Sequence, residues 1–131
     1  MSESNTHNKF VQNIIQKCIE IIGEEKSCLI SADGIDGYAI PPMTVEGFRP
    51  DVYYEYNGMM VIGEAKTSND IDRMHSKQQY ESYIKKCSLY NGSAVLLVAV
   101  HWSDKAAMHN ILRKISKKHS GSYKIIVLEG F

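Results

Sequence analysis

The stretch Asp51-Val52-Tyr53-Tyr54-Glu55-Tyr56-Asn57-Gly58-Met59-Met60-Val61-Ile62-Gly63-Glu64-Ala65-Lys66 decides how this chain is built. Residues 51–56 are rich in aromatic and β-branched side chains, which favour a strand. Asn57-Gly58 supplies two residues that tolerate positive φ, as a two-residue hairpin turn requires. Residues 59–66 return as the second strand. With Tyr56 opposite Met59, paired positions sum to 115, so Asp51 falls opposite Glu64 and Arg49 opposite Lys66. Side chains alternate along a strand, so Glu64 and Lys66 share a face and Ala65 points away. Directly opposed residues have Cβ atoms about 4.5–5.5 Å apart, which brings two carboxylates together with an ammonium group beside them.

Outward from the hairpin, residues 8–22 carry Phe10, Ile14, Cys18, Ile21 and Ile22 at helical spacing, with Asn5 or Thr6 to cap the start and Gly23 to end it. Residues 28–31 read as a short strand, and residues 38–40 as another before Pro41-Pro42. Residues 71–89 read as a helix with Tyr80, Tyr83, Ile84 and Cys87 on one side. The unbroken apolar run 94–100 is the pattern of a strand buried on both faces. A helix over 104–119 follows, with Met108, Ile111, Leu112 and Ile115 inward, and a last strand over 123–128. The principal order α, β, β, β, α, β, α, β predicts an α/β fold. Its mixed sheet of four or five strands is flanked by helices, with strand 94–100 reached through a helical crossover.

The 131 residues are enough for one domain, 1–131, with a single core. The longest apolar run has seven residues, against about 20 needed to span a bilayer, and the polar, acid-bearing start is not a signal peptide. Cys18, Cys28 and Cys87 are odd in number and show no Cys-x-x-Cys spacing, which points to a reducing cytoplasm and away from a disulfide scaffold or structural zinc. Net charge is zero, so bulk charge does not drive the protein onto nucleic acid. The zero is a balance of halves: residues 1–64 hold four Lys/Arg and ten Asp/Glu, and residues 65–131 hold eleven and five. Lys105, Arg113, Lys114, Lys117, Lys118 and Lys124, with Arg73, Lys77, Lys85 and Lys86, could make sequence-independent phosphate contacts.

Opposed like charges destabilise a sheet unless something offsets them. Lys66 offers one positive charge, and a divalent cation would offer two more. Carboxylate and carbonyl oxygens suit Mg²⁺ or Mn²⁺. A Glu–Lys–Asp salt-bridge cluster without metal is the structural alternative.

Pro50-Asp51, a twelve-residue gap and Glu64-Ala65-Lys66, with Gln79 and Tyr83 on the following helix, resemble the PD-(D/E)xK nuclease superfamily. That family has a restriction-endonuclease-like αβββαβ core, and the resemblance covers residues ~8–100. It implies that Asp51 and Glu64 bind a metal ion, that Ala65 adds its carbonyl, and that Lys66 orients or activates the attacking water. Gln79 and Tyr83 would be the accessory pair beside the metal or the substrate backbone. Several branches add an acid from the first helix; Glu20 is the matching acid, but its wheel position faces away from the sheet. Glu46 or Asp33 could be recruited from a loop instead. The implied activity is Mg²⁺-dependent hydrolysis of DNA phosphodiesters, with Mn²⁺ substituting. The implied setting is DNA repair or recombination by a homodimer acting on branched or structured DNA, as in Holliday junction resolvases and phage-type repair nucleases. A catalytically silent nucleic-acid-binding or assembly module on the same fold is the second expectation.

Overall fold

The computed structural model describes residues 3–130. Helix α1 spans Glu3–Ile22 and is followed by a 3₁₀ turn over Glu24–Leu29. Strands β1 (Ser31–Ala32), β2 (Val52–Tyr56) and β3 (Met59–Ala65) precede helix α2 (Met74–Leu89). Strand β4 (Ser93–His101), a 3₁₀ turn (Trp102–Asp104), helix α3 (Lys105–Ser116) and strand β5 (Lys124–Gly130) complete the chain. The strands form one open mixed sheet in the order β1-β2-β3-β4-β5. β1, β2 and β3 pair antiparallel, whereas β3, β4 and β5 are parallel. A parallel pair cannot be joined by a tight turn, and α2 is the crossover between β3 and β4.

The hairpin has the expected register: Tyr56 pairs with Met59 and Val52 with Gly63. Asn57 and Gly58 both adopt positive φ, at 52° and 80°, which is why this dipeptide and not a bulkier one makes the turn. β4 is buried along almost its whole length because it is central and covered on both faces. On one face, Phe10, Ile14 and Cys18 of α1 pack with Val52, Tyr54, Val61, Leu97 and Ala99. On the other, Tyr80, Tyr83, Ile84, Met108 and Leu112 pack with Met60, Ile62, Leu96, Val98 and Val100.

Gly63 sets the distance between α1 and the sheet. A Cβ there would lie 2.3 Å from Ile14 Cγ2 and 3.1 Å from Val52 Cβ. Gly63→Ala is therefore expected to push α1 off β3 and to cost about 1–3 kcal/mol, read as a lower Tm. An unchanged Tm would mean that α1 is not seated on this strand.

Several boundaries differ from the sequence expectation. α1 starts at Glu3, well before residue 8, so Asn5 and Thr6 lie inside it and do not cap it. Residues 28 and 29 belong to the 3₁₀ turn, and β1 is only Ser31–Ala32. Residues 38–40 form no strand: Ala39 makes a single bridge to Ser31, and Pro41-Pro42 beyond it have no N–H to extend a ladder. α2 begins at Met74 because residues 67–73 are drawn into turns, with Asp70 N–H bonded to Thr67 C=O at 2.9 Å. α3 stops at Ser116, and β5 runs to Gly130.

Candidate active site

The site forms where β2 begins and β3 ends. Asp51 lies one residue before Val52, whose partner is Gly63, so the same register carried one residue further sets it against Glu64. Its Oδ2 accepts the Ala65 N–H at 2.8 Å and lies 3.3 Å from His7 Nε2. Glu64 is almost fully buried, at 4% exposure, and Lys66 is buried at 8%. Lys66 Nζ stands 3.5 Å from Glu64 Oε2 and donates a hydrogen bond to Gln79 Oε1. The Lys66 N–H bonds the Ala99 carbonyl of β4 at 3.0 Å, which fixes the end of β3 against the centre of the sheet. Tyr83, one turn beyond Gln79 on α2, is wholly buried beneath Glu64 and interacts with its carboxylate. The spacing of four residues places Gln79 and Tyr83 on one helix face.

The electrostatics of this cluster are unbalanced. Burial, and then the negative charge of Asp51, push the Glu64 carboxyl up to about 8 against the smaller opposing pull of Lys66 and Tyr83. Tyr83 is held far above the usual phenol range by burial and by Glu64. His7 is raised, chiefly by its hydrogen bond to Asp51 and against the cost of its burial. Among the described residues, Glu64 Oε1 and Tyr83 Oη are each buried with no hydrogen-bond partner in bonding geometry. Leaving such a group unpaired costs about 1–3 kcal/mol. An open concavity of about 420 Å³, lined by His7, Asn8, Glu64, Ala65, Lys66, Thr67 and Asp70, gives access to this cluster.

Asp51, Glu64, Ala65, Lys66, Gln79 and Tyr83 are thus brought together. Glu20 is not: it is exposed, 3.8 Å from Lys17 in an ion pair on α1, and lines a different hollow. Glu46 is engaged by Ser82 and Lys85 of α2, Asp33 is exposed, and Arg49 turns to the Pro41 carbonyl instead of facing Lys66. The first-helix residues that reach the site are His7 and Asn8, which sequence reasoning missed together with Thr67 and Asp70. The helix was expected to begin after His7, and Asp70 was expected next to a helix and not in a turn. Of the basic residues, Arg73, Lys77, Lys85 and Lys105 pair with Asp70, Asp72, Glu46 and Glu129. Lys114 and Lys118 line a groove between α2 and α3 over Ile111 and Ile115.

A divalent cation fits this donor set. One Glu64 oxygen is buried without a partner in bonding geometry, and the negative charge of Asp51 acts on the same carboxyl. Among the described residues no three His, Cys, Asp or Glu side chains converge as a ready ligand group. An ion here would therefore draw on two carboxylates, a carbonyl and water, as Mg²⁺ commonly does. No family model matches the chain, and no curated protein or solved structure does either. Among the described residues, no helix is long and apolar enough to cross a membrane.

Proposed function

We propose that this protein is a metal-dependent endonuclease that hydrolyses DNA phosphodiester bonds, on a restriction-endonuclease-like αβββαβ core of the PD-(D/E)xK type. The observation that carries the reading is the buried, unpartnered Glu64 oxygen beside Asp51 and Lys66 at the mouth of an open concavity. Asp51 and Glu64 would hold Mg²⁺, or Mn²⁺ in its place. Ala65 joins them because the N–H and C=O of a strand residue point to one edge, and its N–H already meets Asp51. The bound ion would neutralise the phosphate and lower the pKa of a water molecule.

The chain's own groups do the rest. Lys66, held between Glu64 and Gln79, keeps its ammonium in place to orient the attacking water and to stabilise charge developing at phosphorus. Gln79 fixes that ammonium, and Tyr83 closes the site from below and excludes solvent from Glu64. Lys114 on α3 and Lys118 just beyond its end would supply phosphate contacts without sequence preference. One small subunit offers one site, so a symmetric homodimer would set two sites against two strands. Cys18, Cys28 and Cys87 are free thiols, in keeping with a reducing cytoplasm.

The test is nicking of labelled DNA with Mg²⁺, Mn²⁺ or Ca²⁺. Cleavage is expected with the first two and not with Ca²⁺. Lys66→Ala is expected to lower turnover on the order of a hundredfold while DNA affinity in Ca²⁺ changes little. Binding with no cleavage under any metal would establish the silent binding module instead. A Lys66→Ala defect confined to affinity would make Lys66 a phosphate contact.

A further inference from the structure

We infer that Trp102, with His101, is a stacking platform for an unpaired nucleobase beside the phosphodiester site. The substrate is then DNA with a single-stranded segment next to the cut, rather than blunt duplex. The inference rests on the hydrolase reading above and names the substrate class of the same site.

Position comes first. β4 runs beside β3, with Ala99 paired to Ala65, so the backbone of His101, at the end of β4, stands level with the chain that leaves Lys66. Its side chain follows Ala99 in the strand alternation toward the α1 face, the side from which His7 reaches the site. Trp102 is the next residue. The turn that carries it is tied to the site loop, because Ser68 Oγ donates to Asp104 Oδ2 at 2.5 Å.

Preorganisation comes second. The His101 and Trp102 rings lie 5.5 Å apart with 37° between their planes. His101 Nδ1 is held by the Ser103 hydroxyl at 2.7 Å and by the Ser103 N–H at 3.2 Å. The imidazole is therefore pinned by its own turn, and the indole stands against a fixed neighbour.

Exposure comes third. Trp102 is 62% exposed, and its ring has no aromatic contact other than His101 among the described residues. Single exposed apolar residues are common on surfaces. This one differs in being a large aromatic on a braced turn, one strand over from a site built to hold a phosphodiester.

The chemistry selects the partner. An aromatic face stacks on any base and reads no sequence. Bases inside a duplex are already stacked on each other, so the face gains nothing unless a base is free. A flap, gap or frayed end provides such a base.

The test uses the sole tryptophan of the chain as its own reporter. Full-length protein in Ca²⁺ is titrated with single-stranded, flapped and blunt duplex DNA of equal length, and indole fluorescence and affinity are read together. The expected result is quenching and tighter binding with the single-stranded and flapped DNA. Trp102→Ala should lose that preference by roughly ten- to a hundredfold, and Trp102→Phe should retain most of it. Since the residue is exposed, neither change should move Tm. Equal quenching and affinity for blunt duplex, or an unchanged preference in Trp102→Ala, would overturn the inference. A Trp102-dependent preference without Mn²⁺-dependent cleavage of any of these DNAs would support the platform while overturning the hydrolase reading.

Discussion

Glu64→Gln is expected to abolish Mn²⁺-dependent cleavage, on the order of a thousandfold or more, and at the same time to make the ion-free protein more stable above pH 8. The two effects share a cause. With its carboxyl pushed up to about 8 from 4.5, Glu64 resists ionisation in the folded protein. Forcing it to ionise by raising the pH costs up to about 5 kcal/mol, at about 1.36 kcal/mol for each pH unit. Glutamine has nearly the same shape and carries no charge. It leaves an amide with incomplete hydrogen bonding, which costs about 1–3 kcal/mol. The variant is therefore expected to be the more stable ion-free protein at high pH, by roughly a few kcal/mol, measurable by denaturant unfolding in EDTA. If Glu64 were instead the structural partner of Lys66, removing its charge would strand a buried ammonium and the variant would be the less stable protein at every pH.

Without metal, the wild-type protein is expected to lose stability steadily as pH rises from about 4.5 to about 8. Glu64 has a raised folded-state pKa, so the stability linked to its proton is fully present below the unfolded value and is lost as pH climbs through the folded one. His7 is also raised, by its bond to Asp51. Its contribution is present below its unfolded value near 6.5 and declines in the same direction. The two groups reinforce each other and produce an alkaline weakness unusual for a protein whose charges balance. Saturating Mg²⁺ or Mn²⁺ should remove most of the slope, because the ion takes the place of the proton on Glu64. A flat Tm between pH 5 and pH 8 in EDTA would show that Glu64 ionises there without penalty, contrary to its burial.

Much of this site could be read from residues alone because its geometry follows from a short-range rule. Asn57-Gly58 fixes the turn, the turn fixes the register, and the register puts Asp51 against Glu64. Gln79 and Tyr83 stand out as a pair only through the family resemblance, and their four-residue spacing on α2 then sets them on one helix face. What stayed hidden depended on where irregular chain begins and ends. His7 was missed because the polar residues 3–9 carry no apolar period, and the helix extends through them only because Phe10 and Val11 anchor it to the sheet. Thr67 and Asp70 belong to a turn defined by contacts with each other, which no periodicity announces. β1 is two residues long, below what any pattern resolves. Glu20 could be set aside from its wheel position, and its ion pair with Lys17 agrees with that.

In the proposed enzyme a divalent cation would complete the buried, under-partnered carboxyl of Glu64. Calorimetric titration of Mn²⁺ into the full chain at pH 7, in two buffers of different ionisation enthalpy, tests it most directly. Binding accompanied by release of close to one proton in the wild type, lost in Glu64→Gln, is the predicted result. No binding, or equal binding and proton release in Glu64→Gln, would contradict it.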